Sequence, residues 1–123
     1  MPRNKASRRP GMVTTRMADI TDGTSNTIAL GESLPYWSDS SCWVDDNGTI
    51  AVTAIPMNLF KTAPDRTAFA RDWRISYGFM SQHPGGVHFG MADGSVRFIS
   101  DTISMPTYWS LGTISTGGVV GDF

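Results

Sequence analysis

The sequence predicts an α+β fold, mostly β: an antiparallel sheet with short helices. Three observations predict it. The acidic residues are almost all Asp, with Glu32 the only Glu, and Asp and Gly suit turns and caps where Glu suits helix interiors. An Asp93-Gly94 pair stands between two apolar, alternating runs, which is a hairpin signal. The chain has 123 residues, 40% of them apolar, with four Trp, six Phe and three Tyr. That is enough for one small core and not two.

Residues 1–19 read as a basic, flexible arm, and residues 20–123 as the folded domain. Arg3, Lys5, Arg8, Arg9 and Arg16 are half of the 10 basic residues, and no acid precedes Asp19. Such an arm is a solvated tail or linker, or a nucleic-acid contact. The near-zero net charge of -1 gives no field for nucleic acid or a membrane surface, so no nucleic-acid partner is expected. No apolar run follows the basic start, so it does not read as a secretory signal. No stretch of about 20 apolar residues exists to span a bilayer.

Order is expected to begin near Ile20. Asp22-Gly23-Thr24-Ser25-Asn26 is a run of turn and cap residues, compatible with a helical turn capped by Asp22 or Thr24. It leads into a short strand, Thr27 to Glu32. Pro35 to Ser41 reads as a loop. Asp45-Asp46-Asn47-Gly48 reads as a tight turn between Cys42-Trp43-Val44 and Thr49-Ile50-Ala51-Val52. The stretch from Pro56 to Trp73 has little periodicity and reads as a surface excursion. Near the C-terminus, Asp101 or Ser104 caps a short helix with Pro106 in its first turn, an apolar side of Tyr108, Trp109 and Leu111, and Gly112 as its stop. Val119 and Val120 suggest a last short strand.

The hairpin allows a register to be written down. With Asp93-Gly94 as a two-residue type I′ loop, Ala92 faces Ser95, Met91 faces Val96, and Phe89 faces Phe98. Alternation then puts Phe89, Met91, Val96 and Phe98 on the core face. His88, Gly90, Arg97 and Ile99 fall on the other.

Two pieces of the chain together resemble a known family. One is Ile20-Thr21-Asp22-Gly23-Thr24-Ser25-Asn26-Thr27-Ile28 followed by Gly31-Glu32. The other is Ser81-Gln82-His83-Pro84-Gly85-Gly86 continuing to Asp93-Gly94-Ser95-Val96-Arg97-Phe98, with nine residues between His83 and Asp93. This is similar to the prepilin-type, processing-associated H-X9-DG domain family of bacterial pilin-like proteins, also labelled solute-binding. The ending, Leu111-Gly112-Thr113 and Gly117-Gly118-Val119-Val120, is similar too. The resemblance runs from Ile20 to Phe123, with a diverged middle. It implies a pilin-like globular head and an extracytoplasmic or cell-surface location. It also implies partners among other pilin-like subunits or further copies of the chain. Two departures stand out. The long apolar N-terminal helix of the family is absent from this sequence, and Val119 stands where the family usually has a Glu after its terminal Gly-Gly. The motif residues Asp22, Gly23, Ser25, Asn26, Glu32, His83, Pro84, Gly85, Gly86, Asp93 and Gly94 are expected to be structural.

Catalytic, cofactor and metal sites are not expected. A strand from Val87 to Ala92 would hold His83 and Asp93 roughly 17 Å apart, and no Cys/His spacing matches a metal site. His83 is expected to tie a loop to backbone carbonyls, and Asp93 to satisfy its turn. Asp45-Asp46-Asn47 alone supplies too few oxygens for calcium; Asp39 and Ser40 could add to them, but the turn is the favoured reading. Cys42 reads as a half-buried small hydrophobe, or as a disulfide partner for another chain or for a part of this one outside the sequence. Of Trp37, Trp43, Trp73 and Trp109, Trp37 is the one expected at the surface, where it could serve a glycan. The expected function is a non-enzymatic structural or adhesive module, with a solute- or glycan-binding module as the alternative.

Overall fold

The structure, a computed structural model, describes residues 14–39, 50–117 and 123. Its centre is a three-stranded antiparallel sheet in the order β1 (Ile28–Gly31), β2 (Gly86–Met91), β3 (Val96–Ser100). Short helices complete it: α1 (Arg66–Arg71), α2 (Trp73–Ser76) and α3 (Met105–Leu111), with 3-10 turns at Met17–Asp19, Thr24–Asn26, Pro35–Trp37 and Leu59–Thr62. The α+β class and the antiparallel sheet are as expected. Short helical turns carry more of the described chain than strands do, because the long connection from β1 to β2 folds into capped turns.

That connection is a correction to the sequence reading. The stretch from Pro56 to Trp73 contributes Met57, Asn58, Phe69 and Ala70 to the interior. Asp65 caps α1 by accepting from the Thr67 and Ala68 N–H groups, and Asp72 ends α1 and caps α2 through the Arg74 N–H. Residues 50–52 form no strand; the Val52 N–H bonds the Tyr77 carbonyl instead. The turn expected at Asp45 to Gly48, together with Cys42, Trp43 and the strand at Val119, lies outside the described residues. Trp37 is half-buried against Phe60 and Phe69, while Trp73 and Trp109 are the exposed tryptophans among those described.

The hairpin forms, but in another register. His88 pairs with Phe98, Phe89 with Arg97, and Val87 with Ile99. The loop has three residues, Ala92-Asp93-Gly94: the Gly94 N–H returns to the Met91 carbonyl, and the Met91 N–H bonds the Ser95 carbonyl. Gly94 takes φ 87°, the left-handed residue of a type I turn with a bulge. The extra loop residue slides β3 by one position and turns every one of its side chains over. Ile99 is therefore buried, and Val96 and Phe98 are exposed, contrary to expectation.

The core lies on one face of the sheet. Val87, Phe89 and Met91 of β2 and Ile99 of β3 pack with Met57, Phe79, Tyr108 and Leu111. Tyr108 and Leu111 are the inward side of α3, which Ser104 caps through the Thr107 N–H and Pro106 opens, as expected. Gly31 must be glycine: a Cβ there would stand 2.6 Å from the Phe79 ring and 2.7 Å from the Phe89 ring. An irregularity between Ile28 and Leu30 breaks alternation in β1, so Ile28 packs on the core and Leu30 crosses over Gly90 on the opposite face.

Candidate functional site

The two motif segments lie side by side, joined at both ends. At the hairpin-turn end, the Ala92 N–H bonds the Thr27 carbonyl and the Asp93 N–H bonds the Thr24 carbonyl. Ser25 and Asn26 belong to the 3-10 turn Thr24–Asn26, whose N-cap, Gly23, has φ 95°. Asp93 Oδ1 accepts from the Ser95 N–H at 2.9 Å and the Ser95 hydroxyl at 2.6 Å. Those two bonds hold its carboxyl below the ordinary value. This is the turn role expected of Asp93.

Asp22 does something the sequence did not suggest. Rather than capping the adjacent turn, it reaches across more than 90 positions to the segment after α3. Its carboxylate accepts from the Thr116 N–H at 2.9 Å and the Gly117 N–H at 2.8 Å, and from the Thr113 and Thr116 hydroxyls. The backbone donors at Thr116 and Gly117 hold its carboxyl below the ordinary range. The Thr21 and Asp22 N–H groups both bond the Ile114 carbonyl. The Asp22 segment and the Leu111–Gly117 ending are thus one joint.

At the other end of β1, Glu32 meets both histidines of the chain. Its Oε1 lies 3.1 Å from His83 Nε2, and its Oε2 accepts from the His88 N–H at 2.8 Å and lies 3.5 Å from His88 Nδ1. The two imidazoles meet edge to face with centroids 4.8 Å apart, and His88 also packs on Phe98. Burial pushes the Glu32 carboxyl up, but the His88 N–H, the Ser81 hydroxyl and His83 outweigh it, so it sits below its ordinary value. All three side chains are partly exposed. One ligand atom from each of Glu32, His83 and His88 lies within 4.8 Å of the others.

His83 is placed by the loop before β2. Its N–H bonds the Ser81 hydroxyl and its carbonyl accepts from Lys61 Nζ. Pro84, Gly85 and Gly86 then turn the chain into β2. Gly85 takes φ 76°, and a Cβ on Gly86 would collide with the Ile99 carbonyl and the Phe98 ring. Asn58 fastens this loop from inside, with its amide donating to the Gly86 carbonyl and accepting from the Ser81 N–H. The His83 ring therefore bonds a carboxylate rather than the backbone carbonyls expected for it. His83 and Asp93 stand at opposite ends of β2, as the strand length requires.

Neither His88 nor Asn58 was singled out by the sequence. His88 sits mid-strand with no motif around it, and its meeting with Glu32 depends on a pairing 56 positions apart. A lone Asn between two apolar residues, in a stretch without periodicity, was the one signal for Asn58.

Among the described residues no helix is long and apolar enough to cross a membrane. Comparison with curated proteins and with solved structures finds no match. The family model SBP_bac_10, described as "Protein of unknown function (DUF1559)", matches residues 3–105, which covers both motif segments. The chain belongs to that family.

Proposed function

We propose that the chain is a non-enzymatic structural module of a pilin-like surface or secretion-apparatus protein of the H-X9-DG kind, which works by packing its sheet against another subunit. The observation that carries this reading is the open face of the sheet. Val87, Phe89, Met91 and Ile99 point to the core, while Leu30, Val96 and Phe98 stand on the opposite face at 68%, 71% and 47% exposure. Apolar side chains in neighbouring strands, left in water on a sheet, are what a face awaiting a partner carries. In pilin-like subunits an apolar helix fills that role, and its chemistry fits this surface.

A nucleophilic enzyme finds less support. The His83 imidazole and the His88 N–H both turn to the Glu32 carboxylate, whereas an activated serine needs the imidazole in the middle, beside a hydroxyl. Solute binding gains nothing from the cleft lined by Ser33, Ser38, Ile50, Ser76 and Tyr77. Its volume of about 10 Å³ is that of one water. The reading is tested with an apolar fluorescent dye. The intact chain should bind it, and a Leu30→Ser, Val96→Thr, Phe98→Ser variant should lose that binding while keeping its circular dichroism. Equal dye binding by both would put the apolar surface elsewhere.

A further inference from the structure

We propose that Glu32, His83 Nε2 and His88 Nδ1 form a binding site for a divalent transition-metal ion of the zinc type. Three protein donors hold the ion, and its remaining position is open to solvent. This goes beyond the structural role argued above and does not depend on it.

The donor set suits the ion. Two imidazole nitrogens and one carboxylate oxygen are borderline ligands that favour zinc and its neighbours over magnesium or calcium, which want oxygen alone. The spacing suits it as well. Bonds of about 2.0–2.1 Å at tetrahedral angles place donor atoms about 3.3 Å apart. Here Glu32 Oε1 lies 3.1 Å from His83 Nε2 and the other oxygen, Oε2, 3.5 Å from His88 Nδ1, and one ligand atom from each of the three residues falls within 4.8 Å of the others. Gathering all three onto one ion takes side-chain rotations that close the widest separation, at most 4.8 Å, to the tetrahedral spacing.

The donors are also held in place before any ion arrives. The His88 N–H orients the Glu32 carboxylate. His88 is fixed by its place in β2. His83 is fixed by its N–H bond to Ser81, by the Lys61 bond to its carbonyl and by the turn that follows. A plain His83–Glu32 hydrogen bond accounts for one contact only. It leaves His88 Nδ1 facing the same carboxylate at a distance longer than a usual hydrogen bond. An ion uses all three groups, and on binding it displaces any proton that His83 and Glu32 share. With side-chain exposures of 51%, 43% and 35% for His83, His88 and Glu32, an ion can enter from solvent and keep a water in its open position.

The chain has two histidines, and both are here. Imidazole coordination anywhere in the protein must therefore come from this site. The test is a Zn²⁺ titration of the full chain against a chromogenic chelator, repeated with Co²⁺ to read visible d–d absorption. A Cys42→Ser background removes the competing thiol. The expected result is one ion per chain, tetrahedral-type Co²⁺ bands, and a Zn²⁺-dependent rise in melting temperature. His83→Ala and His88→Ala should each weaken binding by more than about tenfold, with circular dichroism unchanged. His83→Gln serves as a second variant that keeps the side-chain volume. Absence of stoichiometric binding at micromolar Zn²⁺ in the Cys42→Ser chain would overturn the proposal. So would binding that survives both histidine substitutions.

Discussion

Asn58 is buried, sits in the left-handed region at φ 59°, and bonds the Gly86 carbonyl, the Ser81 N–H and the Asp101 carboxylate. Asparagine is the residue apart from glycine that best tolerates this conformation, and its amide offers both a donor and an acceptor. Asn58→Ala would strand a buried carbonyl and a buried N–H and keep the unfavourable φ. It should cost about 2–4 kcal/mol, read from urea midpoints. A loss under about 0.5 kcal/mol would mean the loop before β2 is held by other contacts. The acidic residues give a second expectation at this scale. Glu32, Asp22 and Asp93 are each held below their ordinary values of 4.5, 3.8 and 3.8 in the folded chain. The unfolded chain therefore takes up protons first as pH falls. The stability these groups contribute is fully present above their ordinary values and is lost as pH falls through the lowered folded ones. Urea midpoints should drop between pH 5 and pH 3, and Glu32→Gln should shrink that drop. An unchanged midpoint over this range would contradict the carboxylate contacts.

At the scale of elements, the spacing of the motifs becomes a matter of strand length. His83 and Asp93 bracket β2, and each is joined to one end of the segment from Thr24 to Glu32 that runs beside it. The nine intervening residues are what it takes to pass from one joint to the other. This much was legible in the sequence: β1, the hairpin, α3 with its Ser104 cap, and the structural turn at Asp93. The hairpin register was not, because Asp-Gly serves both a two-residue loop and a three-residue loop with a bulge, and the two differ by one residue of slip. The apolar pattern offered no correction, since β3 carries Val96 and Phe98 on one face and Ile99 on the other. The registers separate by mutation. Ile99→Ala should cost about 2–5 kcal/mol, as expected of a buried side chain. Val96→Thr should fall within about 0.5 kcal/mol. The reverse order would restore the pairing of Phe89 with Phe98.

At the scale of the molecule, the sheet has a dry face and a wet one, and both carry apolar side chains. α3 and the chain around Met57 and Phe79 cover the dry face. Leu30, Val96 and Phe98 on the other are uncovered among the described residues. Of the four side chains expected together on the core face, Phe89 and Met91 are core, while Val96 and Phe98 stand on the open face. The Glu32–His83–His88 grouping was illegible because its members meet only through the pairing of β1 with β2 and the turn at Pro84-Gly85. Sequence spacing carries neither. The central claim, that this chain associates through its open sheet face, is tested most directly by light scattering over a concentration series. The intact chain should gain mass with concentration, and the Leu30→Ser, Val96→Thr, Phe98→Ser variant should stay monomeric. A strictly monomeric intact chain at high micromolar concentration would contradict the account, since the open face would then be stable in water alone.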